Sequence, residues 1–207
     1  SMNDGYSRVL DSIASSEPTP GGGSVAALSL AHAHSLAIMV SRLTLGKEKW
    51  VDGHEISKLV ISNSEIGVEH SIKLAEIDAE AFDCVMDAYR LPRGDEKTNE
   101  ARKLAIRTAT IGAAEAPLAT AEAAQSLLAQ VEALSENCNA NALTDLASSA
   151  ELAFTAANIA AMNVRINLEY LVGDDVQSLT SSIDDILDDS RNMVVRIRLR
   201  VNERLGW

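Results

Sequence analysis

Helix-breaking residues are confined to a few short segments of this 207-residue chain. Only four prolines occur, and three of them lie at or before Pro92. Because proline ends or kinks a helix, long uninterrupted helices are permitted over most of the chain. Apolar residues make up 46% of the sequence but aromatic residues only 3%, so small aliphatic side chains dominate. This composition favours helices packed closely through small residues over a β-sandwich with a core of large aromatics.

The apolar periodicity predicts about six helices, several of them long, and shows no strand-like alternation. The predicted helices cover about residues 5–14, 24–43, 52–89, a segment from 96 onward, 144–171 and a last helix after 173 that ends near 205. Ser24 and Thr144 are the expected N-caps, and Gly46 and Gly173 the expected helix stops. Pro117 predicts a kink or two abutting helices. The predicted fold class is therefore an all-α bundle.

Composition also limits the partners of the chain. The formal net charge is −12 and the pI is near 4.7, so the surface repels phosphate backbones and anionic lipid, and we expect no nucleic-acid binding. The apolar run Val25–Leu45 is as long as a membrane span, but it contains His32, His34 and Arg42. We interpret this run as a buried core helix, which predicts no membrane partner.

Two cysteines, Cys84 and Cys138, form neither a metal-binding spacing nor a disulfide framework, which favours a reduced, cytoplasmic setting. His32 and His34 lie two residues apart, so on a helix they face about 200° apart and cannot hold one metal together. We therefore predict no metal site. Neither cysteine has a convincing histidine partner for nucleophilic catalysis.

A glycine-rich segment, Pro20-Gly21-Gly22-Gly23-Ser24, directly precedes the apolar helix. Glycines let a backbone approach a ligand closely, and the free amides of a helix start can receive an anion or a developing negative charge. The segment lacks the lysine of a P-loop and no strand precedes it, so a nucleotide site is a poor match. The alternative is a tight turn that lets two helices cross closely. The residues alone leave both interpretations open.

Several segments, in order along residues 18–171, resemble the cyclodeaminase family, that is, the cyclodeaminase domain of formiminotransferase-cyclodeaminases and related methenyltetrahydrofolate cyclohydrolases. They are the glycine segment continued by Val25-Ala26-Ala27, then Met39-Val40, Leu43-Thr44-Leu45-Gly46-Lys47, Ile77-Asp78-Ala79-Glu80-Ala81-Phe82, Leu91-Pro92-Arg93, Ala116-Pro117-Leu118, Cys138-Asn139-Ala140-Asn141-Ala142-Leu143-Thr144-Asp145-Leu146 and Asn163-Val164-Arg165-Ile166-Asn167-Leu168. Three residues depart from the family pattern. Cys138 stands where glycine is usual, Thr144 where serine is usual, and Glu76 where some relatives carry Asp.

The resemblance implies one helical domain over residues 1–207 that forms a homodimer and acts on a one-carbon folate. The expected reaction is cyclodeamination, in which N10 of 5-formiminotetrahydrofolate attacks the formimino carbon and ammonia leaves to give 5,10-methenyltetrahydrofolate. Hydrolysis of the methenyl bridge by a cyclohydrolase is the alternative within the family. A folate-binding or scaffold dimer without catalysis is the alternative outside enzymology. No cofactor beyond the tetrahydrofolate substrate is expected.

Asp78 is the candidate catalytic residue. At 100° per residue, Ala75, Asp78, Phe82, Val85 and Tyr89 form one stripe of a predicted helix, so the Asp78 carboxylate points where apolar side chains point. Burial there raises the pKa of a carboxyl group, which suits a general acid or base. A buried structural aspartate is the alternative. The family resemblance favours the catalytic interpretation.

The resemblance implies further substrate contacts from the glycine segment (Gly21, Gly22, Gly23 and Ser24) and from Asn139, Asp145, Asn163 and Asn167. Asn163 and Asn167 lie one turn apart and could hold the amide-like edge of the pterin, or could bond a neighbouring helix. Asp145 and Asn163 are eighteen residues apart, about 27 Å along a helix. They cannot line one small pocket in one subunit, so either one group is structural or a dimer brings them together.

A folate substrate with one or more glutamates needs a cationic partner for its tail. Lys47 and Lys49 follow the Gly46 stop and are the first candidates for this role. Arg93 and Arg102 are weaker candidates. Exposed lysines are more often simply solvated, so this assignment rests on the basic pair being unusual in an acidic chain.

Overall fold

The computed structural model describes Asn3 and residues 5–207, and these residues form six α-helices, two short 3₁₀ helices and no strand. The α-helices are α1 (Tyr6–Ile13), α2 (Gly22–Leu45), α3 (His54–Arg90), α4 (Glu96–Leu134), α5 (Leu143–Leu168) and α6 (Asp174–Leu205), and the 3₁₀ helices are Glu48–Gly53 and Ala140–Ala142. The prediction of an all-α bundle of about six helices is confirmed. The predicted single domain spans residues 1–207, of which 1, 2 and 4 lie outside the described part, and it stays a prediction.

Helix α2 lies at the centre of the bundle and packs against α3, α4 and α5. Its inner faces are lined by fully buried small residues such as Ala26 and Ala33, and α5 contributes Ala153, Ala157 and Ala160 to the same core. Small side chains let the helix backbones approach closely, which is what the low aromatic content favours. By length and composition α2 could cross a membrane, but 61% of its most apolar window is buried inside the bundle.

Helix starts differ from the sequence prediction at two positions. Helix α2 begins at Gly22 with Gly21 as its N-cap, so the prediction of Ser24 as N-cap is wrong. The hydroxyl of Ser24 instead donates to the carbonyl oxygen of Ala75 at 2.8 Å. Likewise α5 begins at Leu143 after Ala142, which places Thr144 inside the first turn. In both places the backbone turns into the helix earlier than local capping preferences suggest.

Helix ends and the interior proline follow the sequence more closely. Gly46 caps α2 and Gly173 precedes α6, as predicted, whereas α5 ends at Leu168 rather than near Leu171. Pro117 is buried within one continuous helix, α4, which excludes the alternative of two abutting helices. Gly94 and its neighbours separate α3 from α4, as the breaker residues there predict.

Helices α2 and α3 run antiparallel, because Ser24 contacts Ala75 at one end and His34 contacts Ser64 further along. Helix α2 therefore begins beside Asp78, and α3 continues past it. Residues 76–112, the last part of α3 and the first part of α4, form an antiparallel pair that we call the arm. Within the arm only Ala88 is buried. The arm extends beyond the core of the bundle.

The opposite end of the bundle is held by hydrogen bonds to loop backbone. Arg204 of α6 donates to the carbonyl oxygens of Ser135 and Cys138 at 3.1 and 2.7 Å, and to the Cys138 Sγ at 3.3 Å. Asn139 donates its backbone amide to Thr44 Oγ1 at 2.9 Å and its side-chain amide to the Leu43 carbonyl at 3.0 Å. Cys138, where the family pattern has glycine, is accommodated here as a fully buried side chain.

Candidate active site

The glycine segment forms the N-terminus of α2 and lies directly against Asp78. A Cβ atom on Gly23 would overlap the Asp78 carboxylate, whereas one on Gly22 would lie at an ordinary 3.9 Å from Asn163 Nδ2. None of the three glycines has a positive φ angle. Glycine is therefore needed at position 23 for close approach to a side chain and not for backbone conformation.

Asp78 is half-buried, and this burial raises the pKa of its carboxyl group. Hydrogen bonding from Ser24 opposes the shift by stabilising the ionised form. The Ser24 hydroxyl donates to the Ala75 carbonyl oxygen, so the Ser24 backbone amide is the main donor towards Asp78. The free amides and dipole at the start of α2 favour the same anion. A carboxylate held between these opposing effects can accept and return a proton.

The C-terminal end of α5 forms a further wall of this site. Asn163 lies beside Gly22, and its Nδ2 donates to the Ile159 carbonyl at 2.9 Å. Asn167 Nδ2 donates to the carbonyls of Asn163 and Ala113, at 2.8 and 3.2 Å. Both amide groups are thus anchored through their nitrogens. In the described part of the chain no donor reaches either Oδ1, so both oxygens remain free to accept hydrogen bonds from a ligand.

The structure brings together Gly21, Gly22, Gly23, Ser24, Asp78, Asn163 and Asn167. It does not bring Lys47, Asn139 or Asp145 to them. Lys47 and Asn139 lie at the other end of α2, about 35 Å from Gly22 at 1.5 Å per residue. Asp145 lies in the first turn of α5, about 27 Å from Asn163. In one subunit these three residues cannot share the Asp78 site, and their role in substrate binding stays a prediction.

Asn139 has a local role in this subunit. It is buried, its nitrogens donate to Thr44 and Leu43, and its Oδ1 accepts from the Asn141 amide at 3.0 Å. These bonds join the C-terminal end of α2 to the loop that leads into α5. Its side chain already has protein partners at both ends, unlike those of Asn163 and Asn167.

The histidines have separate environments. His34 is only 6% exposed and lies against Gly67, and its Nδ1 is 2.9 Å from Ser64 Oγ. Burial and the nearby His70 lower the pKa of His34 to about 4. Among the described residues no group of three or more histidine, cysteine, aspartate or glutamate side chains is arranged to hold a metal. The expected absence of a metal site stays a prediction.

A groove between the two helices of the arm was not predicted from the sequence. It has a volume of about 1100 Å³ and lies against the side of α3 that carries Leu74 and Ile77, and Asp78 does not line it. Its α4 wall carries Ala101, Ala105 and Ala109, spaced four residues apart along one helix face. This alanine spacing is a signal that could have indicated a shallow, apolar helix surface. The volume suits an extended small molecule.

Comparison with known proteins identifies the family. The family model described as Formiminotransferase-cyclodeaminase matches residues 6–182. The chain belongs to this family. Over 170 residues it is 36% identical to the methenyltetrahydrofolate cyclohydrolase of Methylorubrum extorquens, a match that covers 82% of this chain and 81% of the relative. The family resemblance inferred from the ordered sequence segments is thereby confirmed.

Other members of the formiminotransferase-cyclodeaminase family match over a similar part of the chain. The formimidoyltransferase-cyclodeaminase of Gallus gallus is 27% identical over 79% of this chain, but the match spans only 30% of that relative. The crystal structure of formiminotetrahydrofolate cyclodeaminase from Thermotoga maritima superposes with a TM-score of 0.78 at 27% identity, covering 96% of this chain and 93% of that one. The fold described above is therefore that of a solved family member.

Proposed function

We propose that this protein is a methenyltetrahydrofolate cyclohydrolase, which adds water to the bridge carbon of 5,10-methenyltetrahydrofolate and releases 10-formyltetrahydrofolate. The observation that carries the proposal is the 36% identity to a methenyltetrahydrofolate cyclohydrolase over about four fifths of both chains. The sequence motifs favour cyclodeamination as the first expectation, but this relative favours the alternative, a cyclohydrolase. The half-buried Asp78 carboxylate, beside the N-terminus of α2, can supply the proton transfers of the reaction.

In this proposal Asp78 moves the protons. The methenyl bridge is a cationic amidinium, so an ionised Asp78 attracts it electrostatically. Water attacks the bridge carbon and passes a proton to the carboxylate, which gives a neutral tetrahedral intermediate. The carboxyl group returns that proton to N5 as the carbon–N5 bond breaks, and the hydroxyl proton of the intermediate leaves to water as the carbonyl forms. The formyl group stays on N10, and one proton is released overall. Holding the bridge and the water together contributes much of the rate.

Neighbouring groups would orient the substrate. The free Oδ1 atoms of Asn163 and Asn167 can accept hydrogen bonds from the pterin ring, whose edge carries several N–H groups. Gly21 and Gly22 carry no side chain, so a ligand could approach the backbone at the start of α2 closely. No step in this sequence requires a cofactor, and we propose that tetrahydrofolate itself carries the one-carbon unit. The expected compartment is the cytoplasm, which fits two free cysteines.

Absorbance at the methenyl band tests the proposal directly. With purified protein and 5,10-methenyltetrahydrofolate, we expect a protein-dependent fall in absorbance and formation of the 10-formyl product. Asp78→Asn should bind the substrate and lose about 10²–10⁴ of the turnover rate, as is typical when a general acid–base group is removed. Unchanged turnover by this variant would remove Asp78 from the mechanism.

Cyclodeamination is the second candidate, favoured by the fold match to a formiminotetrahydrofolate cyclodeaminase. Here N10 attacks the formimino carbon, a base takes the N10 proton and an acid delivers a proton to the departing ammonia. The same Asp78 can serve both steps. A protein-dependent rise of the methenyl band with 5-formiminotetrahydrofolate, together with ammonia release, would identify this activity. Absence of turnover and of binding with either folate would exclude both enzymes.

A homodimer remains part of the proposal. At the C-terminal end of α5, Met162 and Ile166 lie one turn apart and are 60% and 62% exposed, and Tyr170 and Val172 follow them. Exposed apolar side chains in such a cluster are typical of a protein interface. Sedimentation velocity should give the mass of a dimer, and Ile166→Asp should shift it towards the monomer. A monomeric wild-type protein would contradict this part of the proposal.

A further inference from the structure

The Asp78 face of α3 continues into the arm as an exposed apolar surface. Phe82, Val85 and Tyr89 follow Asp78 on the same stripe, and Phe82 and Tyr89 are 37% and 53% exposed. They are uncovered because α2 begins beside Asp78 and does not extend over this face of the later turns of α3. Aromatic residues make up only 3% of the sequence, so two on one exposed stripe beside the candidate catalytic group mark a surface suited to flat rings.

Arg102 of α4 lies at the outer end of this stripe. Its Nη2 donates to the Tyr89 carbonyl oxygen at 2.9 Å, and its guanidinium carbon is 5.7 Å from the centre of the Tyr89 ring. Its Nε is buried without a partner. No carboxylate of the described residues pairs with Arg102, although most arginines of this acidic chain are paired in that way, for example Arg107 with Asp175. The guanidinium thus retains donors for an anionic ligand.

Other charges near the tip of the arm fit the same role. Lys97 and Arg102 line a small cavity of about 310 Å³ with Leu91 and Pro92, and no carboxylate pairs with Lys97 in the described part of the chain. Asp95 is the N-cap residue of α4, and its carboxylate accepts a hydrogen bond from the Thr98 amide at 2.8 Å. Its charge is therefore directed at the start of α4.

We propose that Arg102 binds the glutamate carboxylates of the folate substrate, with the aminobenzoyl ring lying on the Phe82–Tyr89 stripe and the one-carbon bridge at Asp78. Tyr89 is eleven residues after Asp78, about 16 Å along the helix axis. In a folate the aminobenzoyl ring follows N10, and the glutamate follows the ring. Along this face of the protein the apolar stripe likewise follows Asp78, and the cationic Arg102 follows the stripe. The inference rests on the proposed function, and it assigns the tail to Arg102 instead of Lys47.

Paired ligands with and without glutamate test this assignment. The wild-type protein and Arg102→Gln are compared for turnover of 5,10-methenyltetrahydrofolate and 5,10-methenyltetrahydropteroate, which lacks the glutamate. Loss of a charge-assisted hydrogen bond should raise KM for the first substrate about tenfold or more while kcat stays close to the wild-type value. KM for the second substrate should not change. Arg102→Lys, which keeps a point charge, should recover part of the loss.

Controls separate binding from folding. Lys103→Gln removes a neighbouring exposed cation of α4 and should leave both KM values unchanged, and circular dichroism melts show whether each variant is folded. An equal rise of KM for both substrates would make Arg102 a structural residue and overturn the proposal. Unchanged KM values for Arg102→Gln would also overturn it. The same holds if Lys47→Gln, and not Arg102→Gln, raises KM only for the substrate that carries glutamate.

Calorimetric binding of tetrahydrofolate and tetrahydropteroate keeps this inference separate from the proposed reaction. If the wild-type protein turns over neither substrate but binds tetrahydrofolate more tightly than tetrahydropteroate, and Arg102→Gln removes the difference, the proposed reaction fails and the tail site stands. If the wild-type protein binds both ligands equally, the tail site fails even where turnover is observed.

Discussion

The Asp78 carboxylate lies where the backbone of α2 comes closest to α3. Gly23 permits this approach, because any side chain there would occupy the space of the carboxylate. Burial disfavours the charge of Asp78, while the Ser24 amide and the helix start favour it. The net effect is a pKa above the ordinary value, so ionised Asp78 costs the fold some stability at neutral pH. Such a cost is typical of a residue retained for function.

Replacing Asp78 by asparagine should separate stability from activity. The folded-state pKa is raised, so the stability that Asp78 contributes is fully present below its unfolded value of 3.8 and is lost as pH rises through the folded value. The asparagine side chain would stay neutral at every pH. We therefore expect the Asp78→Asn variant to melt at a higher temperature than the wild type at pH 7, and the difference to shrink below pH 3.8. A lower melting temperature at pH 7 would contradict this interpretation.

Alanine substitutions at the adjacent Gly22 and Gly23 should have different effects on turnover. Both substitutions favour the helix, by up to about 1 kcal/mol. Gly23→Ala must displace Asp78 and should reduce turnover at least tenfold, because small misplacements of a catalytic group are costly. Gly22→Ala meets only ordinary contacts and is the matched control for stability. Steady-state kinetics and thermal melts of both variants test this, and wild-type turnover by Gly23→Ala would show that the Asp78 position is not critical.

At the scale of the helices, the middle of the α2–α3 contact is formed by one histidine and one glycine. The His34 ring projects from α2 against Gly67 of α3, where a Cβ atom would overlap it. Ser64, one turn before Gly67, is within hydrogen-bonding distance of the same ring. Glycine inside a helix usually lowers stability, but here it permits close packing of the two helices around a buried polar side chain.

Gly67→Ala should therefore destabilise the protein, by about 1–3 kcal/mol, because overpacking outweighs the gain in helix propensity. Gly112→Ala is the control, since Gly112 also lies inside a long helix but has nothing within 4 Å of the added atom. That variant should be more stable than the wild type by up to about 1 kcal/mol. Urea unfolding measures both, and effects of the same sign would contradict the packing argument.

The whole molecule consists of a core bundle and the arm, and these should differ in local stability. Most core residues lie in α2, α5, α6 and the second half of α4, whereas in the arm only Ala88 is buried. Helical segments with few buried contacts open more readily than the core. Native-state hydrogen exchange should thus be faster in the arm than in α2 and α5. Equal protection in both regions would indicate that something covers the arm in solution.

Protonation of His34 should limit the stability of the whole fold in acid. Its pKa falls from 6.5 to about 4 on folding, so the unfolded chain takes up a proton below pH 6.5 that the folded protein resists until about pH 4. The stabilisation present above pH 6.5 is lost as pH falls through this window, by up to about 3 kcal/mol. Urea unfolding at several pH values measures it.

A His34 variant isolates this contribution from the many carboxylates of the chain. The difference in unfolding free energy between the wild type and His34→Gln should change between pH 6.5 and about pH 4. A constant difference across this range would contradict the assigned pKa.

Local chemistry was sufficient to predict the helices and most of their ends. The positions of proline and glycine, together with the apolar periodicity, indicate where helices are permitted and where they stop, as at Gly46 and Gly173. The helical spacing also places Asp78 on a partly apolar face, because the direction in which a side chain leaves the helix axis follows from its position in the sequence. These properties depend on neighbours within a few turns, which the sequence specifies directly.

Tertiary structure decided which distant groups meet. Ser24 does not cap α2 because Ala75 of a neighbouring helix offers its hydroxyl an acceptor. Phe82 and Tyr89 share the stripe of Asp78 but remain exposed, since α2 begins beside Asp78 and covers nothing beyond it. Lys47 lies far from the site, whereas Arg102 reaches Tyr89 at its outer end. Periodicity determines the face of a helix, but only packing determines what lies opposite that face.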